Sequence, residues 1–318
     1  MQRVLTTVTL LGLLVATAAA FAITEHLKLE KSPISVTGIY SLRPGTPALF
    51  SPVCGPACPT RTAKIGLKLR HTGHVTVAIV DSDGHEVATI APDVLVHAHV
   101  PQTFRWDGRT DAGAVVPDGV YYPVVQLPRR KFKFTNKITV DTVPPKVGPV
   151  GRVNKKRVFF AGRGRTVAIA YTFSEKAHAV IYLDGRQVVL GRQTGTTGKI
   201  KWSGKLDFRP LPPGKYVLSI GAQDRAGNET PAGERKDVAV VLRYVEVTPG
   251  RISVRAGRHF TVHVTTAARR YTWRLGHRHG GRRGKTLRLR ASTTPGTYRL
   301  VVTANGHAAT AVVRVRAK

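Results

Sequence analysis

The chain has almost no sulfur, and its last 72 residues have no acid at all. Of 318 residues, two are cysteine and one is methionine. Two thiols do not complete a zinc site. Cys54 and Cys58 also lack the Cys-x-x-Cys spacing of a redox motif. No Asp or Glu follows Glu246, so residues 247–318 offer no carboxylate to orient a histidine or serve as a base. There is no Gly-x-Ser-x-Gly elbow, no His-Glu-x-x-His and no phosphate-binding Gly-x-x-x-x-Gly-Lys-[Ser/Thr]. No enzymatic activity and no cofactor are expected. Helical periodicity is missing too: past the N-terminal segment, no pattern of period 3.6 runs for ten residues. Gly 31 and Pro 20 are spread along the chain, which excludes a bundle or coiled coil. Interior Pro costs a helix about 3 kcal/mol and Gly about 1 kcal/mol. No Gly-X-Y period suggests collagen, and a hydrophobic fraction of 42% is too high for wholesale disorder.

What is present is positive charge, and it is uneven. Lys+Arg number 50 against 18 Asp+Glu, a formal charge of +32. Residues 1–32 carry +1, 33–143 carry +4, 144–246 carry +11 and 247–318 carry +16. Such a field draws polyanions: nucleic acid, anionic lipid or acidic wall polymer.

One long apolar run stands at the start. Val4 to Thr24 is uncharged, with Arg3 before it. A span of about 20 residues matches a bilayer core, and Arg3 favours a cytoplasmic N-terminus. The segment 1–24 is read as a transmembrane signal anchor, with the remainder extracytoplasmic. The alternative is secretion after cleavage at Ala18-Ala19-Ala20 or Ala20-Phe21-Ala22. Residues 25–59 read as a linker holding a Cys54–Cys58 loop, expected as a disulfide in an oxidising compartment.

Beyond residue 60 strands and turns follow one another. Lys64 to Arg70 and Val75 to Val80 alternate, and Asp81-Ser82-Asp83-Gly84 is a hairpin turn signal. The chain then repeats itself. Trp106-Asp107-Gly108 recurs as Trp202-Ser203-Gly204. Pro117-Asp118-Gly119-Val120-Tyr121 recurs as Pro213-Gly214-Lys215-Tyr216 and again as Pro295-Gly296-Thr297-Tyr298. Asp141-Thr142-Val143-Pro144-Pro145 is a stiff joint, and Arg243 to Gly250 reads as a second. The expected fold is all-β: an N-terminal helix, then three immunoglobulin-like sandwiches over 60–143, 144–245 and 246–318.

Val75 to Val87, Phe104 to Gly113 and Val116 to Tyr121 together resemble the FlgD/Vpr-type Ig-like domain. The marked positions are Trp106, Asp107, Gly108, Asp111, Gly113, Pro117, Gly119 and Tyr121. The resemblance is clearest over 64–140 and eroded over 150–243, where Ser203 replaces Asp107. The third unit keeps only the Pro-Gly-x-Tyr turn. The resemblance implies a non-catalytic sandwich, used as an accessory or scaffold module on bacterial surface and secreted proteins.

Within this frame Asp107 and Asp111 read as turn caps rather than cation ligands. His97 and His99 would share a strand face near His71, His74 and Asp93, but a metal site needs more ordered support, and none is expected. The strongest constellation is basic. Arg270 to Leu275 and Lys285 to Arg290 alternate as if paired. They put Arg270, Arg274, Arg288 and Arg290 on one face around a tip holding Arg278, Arg282 and Arg283, with Lys285 beside it. Arginine suits bidentate phosphate and carboxylate contacts. The expected partner is an anionic envelope polymer or membrane surface, with a protein partner possible through the Ig-like units. No nucleic-acid reading motif is present, so specific nucleic acid is not expected. The function expected is structural or adhesive, in a bacterial envelope. The alternative is an accessory scaffold subunit of a surface enzyme or export machine.

Overall fold

Ala63–Leu69 buries every second side chain, and the same alternation recurs in strands such as His259–Thr266. The computed structural model describes residues 2–29, 32–40, 48–55, 58–153, 158–162 and 164–317, with backbone alone for 2–8, 23–29 and 40. Two compact units result, Met1–Asp141 and Thr142–Lys318.

The N-terminal segment forms helix α1 (Gln2–Leu29). Among the described residues, no helix is long and apolar enough to cross a membrane, which overturns the single-pass anchor expected for 1–24. The physical reason is composition. Thr9, Gly12, Thr17 and a run of alanines replace the bulky apolar side chains that a span uses.

In the first unit the strands are β1 (Ile34–Tyr40), β2 (Ala48–Phe50), β3 (Ala63–Leu69), β4 (Gly73–Val80), β5 (Glu86–Val96), β6 (Gln102–Trp106), β7 (Gly119–Leu127), β8 (Arg130–Lys133) and β9 (Ile138–Val140). One sheet has the order β1-β3-β6; the other runs β2-β9-β7-β4-β5, with β8 on β7. Their inner faces enclose a single core that includes Ile65, Leu67, Val77, Ile79, Trp106, Val125 and Ile138. The 25–59 stretch is therefore not only a linker. β1 pairs antiparallel with β3 and β2 pairs parallel with β9, and Ile34, Ile39 and Phe50 are buried in the core.

The second unit holds two separate cores. Around the first lie β10 (Gly151–Arg152), β11 (Val158–Phe160), β12 (Val167–Leu183), β13 (Arg186–Trp202), β14 (Lys205–Leu206), β15 (Arg209–Pro210), β16 (Gly214–Gln223) and β17 (Lys236–Arg243). Around the second lie β18 (Val245–Thr248), β19 (Arg251–Arg255), β20 (His259–Thr266), β21 (Tyr271–Leu275), β22 (Arg278–Arg282), β23 (Thr286–Arg290), β24 (Gly296–Ala304) and β25 (His307–Arg316). The latter form a three-stranded sheet β18-β20-β23 facing a five-stranded sheet β19-β25-β24-β21-β22.

One pairing recurs in each strand group. A short early strand runs parallel to a late one: β2 with β9, β11 with β17, β19 with β25. The early strand is thereby tied to a sheet by main-chain bonds as well as by burial, which is worth about 1.5–3 kcal/mol per large apolar side chain.

Candidate functional site

The Trp-Asp-Gly segment closes β6 and opens the connection to β7, and it is held as structure. Trp106 is fully buried, with its ring edge-on to Phe50 at 5.7 Å and to Tyr121 at 5.2 Å. Its indole N–H donates to the Arg109 carbonyl (2.9 Å). Asp107 accepts the Arg109 backbone N–H (3.2 Å), and Asp111 accepts the Thr89 backbone N–H (2.8 Å), tying this loop to β5. The Arg109 guanidinium donates to the Gly113 carbonyl (2.8 Å). Gly108 sits at φ +76°, where a Cβ would stand 3.0 Å from Pro52; only glycine fits both the angle and the space. Gly113 has φ +83°. Tyr121 donates to the Pro117 carbonyl (2.7 Å) and so pins the turn that contains Gly119. Both carboxylates thus serve backbone donors.

The same device recurs in the second unit. Trp202 donates to the Lys205 carbonyl (3.1 Å), and Tyr216 donates to the Pro212 carbonyl (2.7 Å). Tyr298 donates to the Thr294 carbonyl (2.9 Å). A tyrosine bonded four residues back thus follows each Pro/Gly turn that the sequence marks. The loop after β16 is likewise a built turn: Asp224 accepts the backbone N–H groups of Gly227 (2.7 Å) and Asn228 (2.8 Å). Beside it Tyr182 donates to Glu229 (3.0 Å), and the Arg235 guanidinium lies 3.4 Å from the ring centre. Burial, and then the Glu229 charge, push the Tyr182 phenol up to about 12.

Cys54 and Cys58 are joined in a disulfide with their Cα atoms 5.9 Å apart; Pro56 and Ala57 lie outside the described residues. His97 and His99 do not share a strand face. β5 ends at Val96, and the two occupy the turn that follows, His99 at φ +62°. His74 instead pairs with Asp93 at 3.1 Å. Asp81, Asp83 and His85 bring ligand atoms within 4.8 Å of one another, but Asp81 is occupied as a turn cap, accepting the N–H groups of Asp83 and His85.

The basic residues are arranged differently from the sequence expectation. β21 pairs with β22, not with β23, through a two-residue turn with Gly276 at φ +57°. The stretch 276–284 is thus not a free tip: 278–282 is an edge strand. β23 belongs to the opposite sheet, beside β20. Arg274 therefore faces outward on the five-stranded sheet, while Arg288 and Arg290 face outward on the three-stranded one. Arg270 precedes β21, Arg278 and Arg282 line the edge strand, and Arg283 and Lys285 lie in the connection to β23. All eight are exposed. Two also act within the fold: Arg278 donates to the Arg290 carbonyl (2.8 Å) and Arg290 to the Gly257 carbonyl (2.9 Å), linking the edges of the two sheets. The sequence reading passed over Arg251, Arg255, Arg299, Arg314 and Arg316. All five join Arg274 on the outer face of the five-stranded sheet. Their signal was the alternation Arg251-x-Ser253-x-Arg255 and Arg314-x-Arg316. The last acid before them, Glu246, is paired with Arg243.

Among solved structures, the fibronectin(III)-like modules of CbhA from Clostridium thermocellum are similar at 15% identity, covering 65% of this chain and 94% of that one, with a TM-score of 0.35. The I9–I11 tandem of titin is 12% identical over 89% of this chain and all 100% of its own, TM-score 0.32. A glucan-locus protein of Bacteroides ovatus, SGBP-B in complex with a mixed-linkage heptasaccharide, is 14% identical over 89% of this chain and 71% of its own, TM-score 0.23. No curated protein matches the chain. Residues 59–129, the segment that holds the Trp106 loop and the Tyr121 turn, match the family model of the FlgD Ig-like domain.

Proposed function

We propose that this chain is a non-catalytic structural or adhesive protein of the bacterial envelope, in which three successive β-sandwiches present a basic C-terminal sandwich to an anionic polymer. The observation that carries this reading is the charge of residues 247–318: 16 Lys+Arg and no Asp or Glu. Ten of these arginines stand on exposed strand positions, so much of the charge is spread over a defined surface. The FlgD Ig-like match at 59–129 supports a module of assembly or adhesion. The three parallel edge pairings and the three tyrosine-pinned turns support three repeats of one architecture. The Cys54–Cys58 disulfide supports an oxidising compartment.

The test is cosedimentation of the full chain with beads carrying an anionic polysaccharide and with uncharged beads of the same matrix. Retention on the anionic beads alone is expected. Equal retention on both, or on neither, contradicts the reading.

A further inference from the structure

The outer face of the five-stranded sheet carries its charge in a regular arrangement. Strand register fixes where its arginines stand. Arg255 lies opposite Arg316, and Arg314 opposite Ser253 and Thr297; Arg299 and Arg251 flank Val312. Arg274 lies beside Val301 and opposite His279. Outward residues on one strand are about 6.8 Å apart and neighbouring strands about 4.8 Å apart. Arg316, Arg314, Arg299 and Arg274 therefore form a diagonal band that ends beside His279, with one guanidinium every 7–8 Å or so.

The face that carries the band is uncommitted. Among the described residues, none of Arg251, Arg255, Arg274, Arg299, Arg314 and Arg316 has a side-chain hydrogen bond or ion pair, unlike Arg278 and Arg290. Around them stand hydroxyls and small apolar groups: Ser253, Thr272, Thr297, Thr303, Thr310, Val301 and Val312. The aromatic residues of these strands turn the other way. Tyr271 is buried, and Trp273 and Tyr298 pack on the core.

We infer that this face is a binding site for an extended polymer of phosphodiester groups that has no bases, such as poly(glycerol phosphate), laid along the band. Guanidinium groups match phosphate oxygens in bidentate fashion, and the threonine hydroxyls supply further donors. The outward face has no Phe, Tyr or Trp, which leaves no platform for stacked bases and separates this ligand from single-stranded nucleic acid. The inference rests on the polyanion reading above and names its surface and ligand.

The experiment titrates the full chain with poly(glycerol phosphate) across a range of salt. Two triple variants are compared. Arg274→Ser/Arg299→Ser/Arg314→Ser removes three of the band's four arginines, and Arg282→Ser/Arg283→Ser/Lys285→Ser removes the same charge from the β22 edge and its connection. All six positions are exposed, so both variants are expected to fold, which far-ultraviolet circular dichroism checks. The band variant should lose at least tenfold in affinity at low salt and flatten the log–log salt slope by about 2, at roughly 0.7 per phosphate contact. The edge variant should keep the wild-type slope to within one contact. Equal losses in the two variants overturn the band while leaving polyanion binding intact. Binding of oligothymidylate but not of poly(glycerol phosphate) overturns the ligand assignment. No binding of either by the wild-type chain overturns the underlying reading as well.

Discussion

Phe50→Ala tests whether the segment before residue 60 belongs to the first sandwich. Phe50 is fully buried, its ring 5.7 Å from Trp106 and in reach of the backbone at Gly108. Its carbonyl also accepts the Asp141 N–H (3.1 Å), closing β2 onto the end of β9. Truncation removes the ring, leaves a cavity beside Trp106 and keeps the main-chain bonds. Core Phe→Ala changes cost about 3–5 kcal/mol, a factor of more than 100 in the folding equilibrium. With a urea m-value of about 1–3 kcal/mol/M, the first-unit transition should move down by 1 M or more. The assay is urea unfolding of the full chain, followed by tryptophan fluorescence, which Trp106 reports at the site of damage. Val53→Ala is the control. It lies three residues on, 54% exposed, and should cost less than about 0.5 kcal/mol. If Phe50→Ala were as mild as Val53→Ala, residues 48–50 would be linker and the packing described for β2 would be wrong.

Other outcomes follow from the same structure. Tyr121→Phe and Tyr216→Phe each delete one donor to a turn carbonyl and should each cost about 0.5–1.5 kcal/mol in urea unfolding; no change in either would remove the pinning role. Replacing both Cys54 and Cys58 by alanine opens a loop of sequence separation 4 and should cost about 2 kcal/mol on a chain-entropy estimate. Tyr182 stays protonated in the folded state up to about 12, against 10.0 for a free phenol. Unfolded chains release that proton first, so stability should fall as pH rises through this window. Glu229→Gln removes a negative neighbour and should lower the Tyr182 midpoint, read by ultraviolet absorbance of the phenolate.

Much of the fold was legible because alternation writes the inner face directly. Ala63–Leu69 and His259–Thr266 alternate in burial as they do in polarity. The Trp and Tyr signatures mark positions that hold buried side chains with fixed hydrogen bonds, as at Trp106 and Tyr121. Strand partners were harder to read, because alternation gives a face but not a neighbour. Tyr271–Leu275 alternates equally well whether paired with β22 or β23. The deciding signal was local: Gly276 at the first position of a two-residue turn. β22, Arg278-His-Gly-Gly-Arg282, has no apolar residue and so did not read as a strand. The short parallel strands β2 and β11 were missed because three residues hold too little pattern, and their partners lie some 80–90 positions away. The N-terminal run misled in the opposite direction: lack of charge alone suggested a span, and the small and hydroxylated residues within it were underweighted.

The most direct measurement is the affinity of the full chain for poly(glycerol phosphate) as a function of salt, by fluorescence or calorimetric titration. If the four arginines of the band, Arg274, Arg299, Arg314 and Arg316, engage the polymer, log K should fall linearly with log salt at a slope of about −3. A slope near zero, or no binding at low salt, would contradict the account.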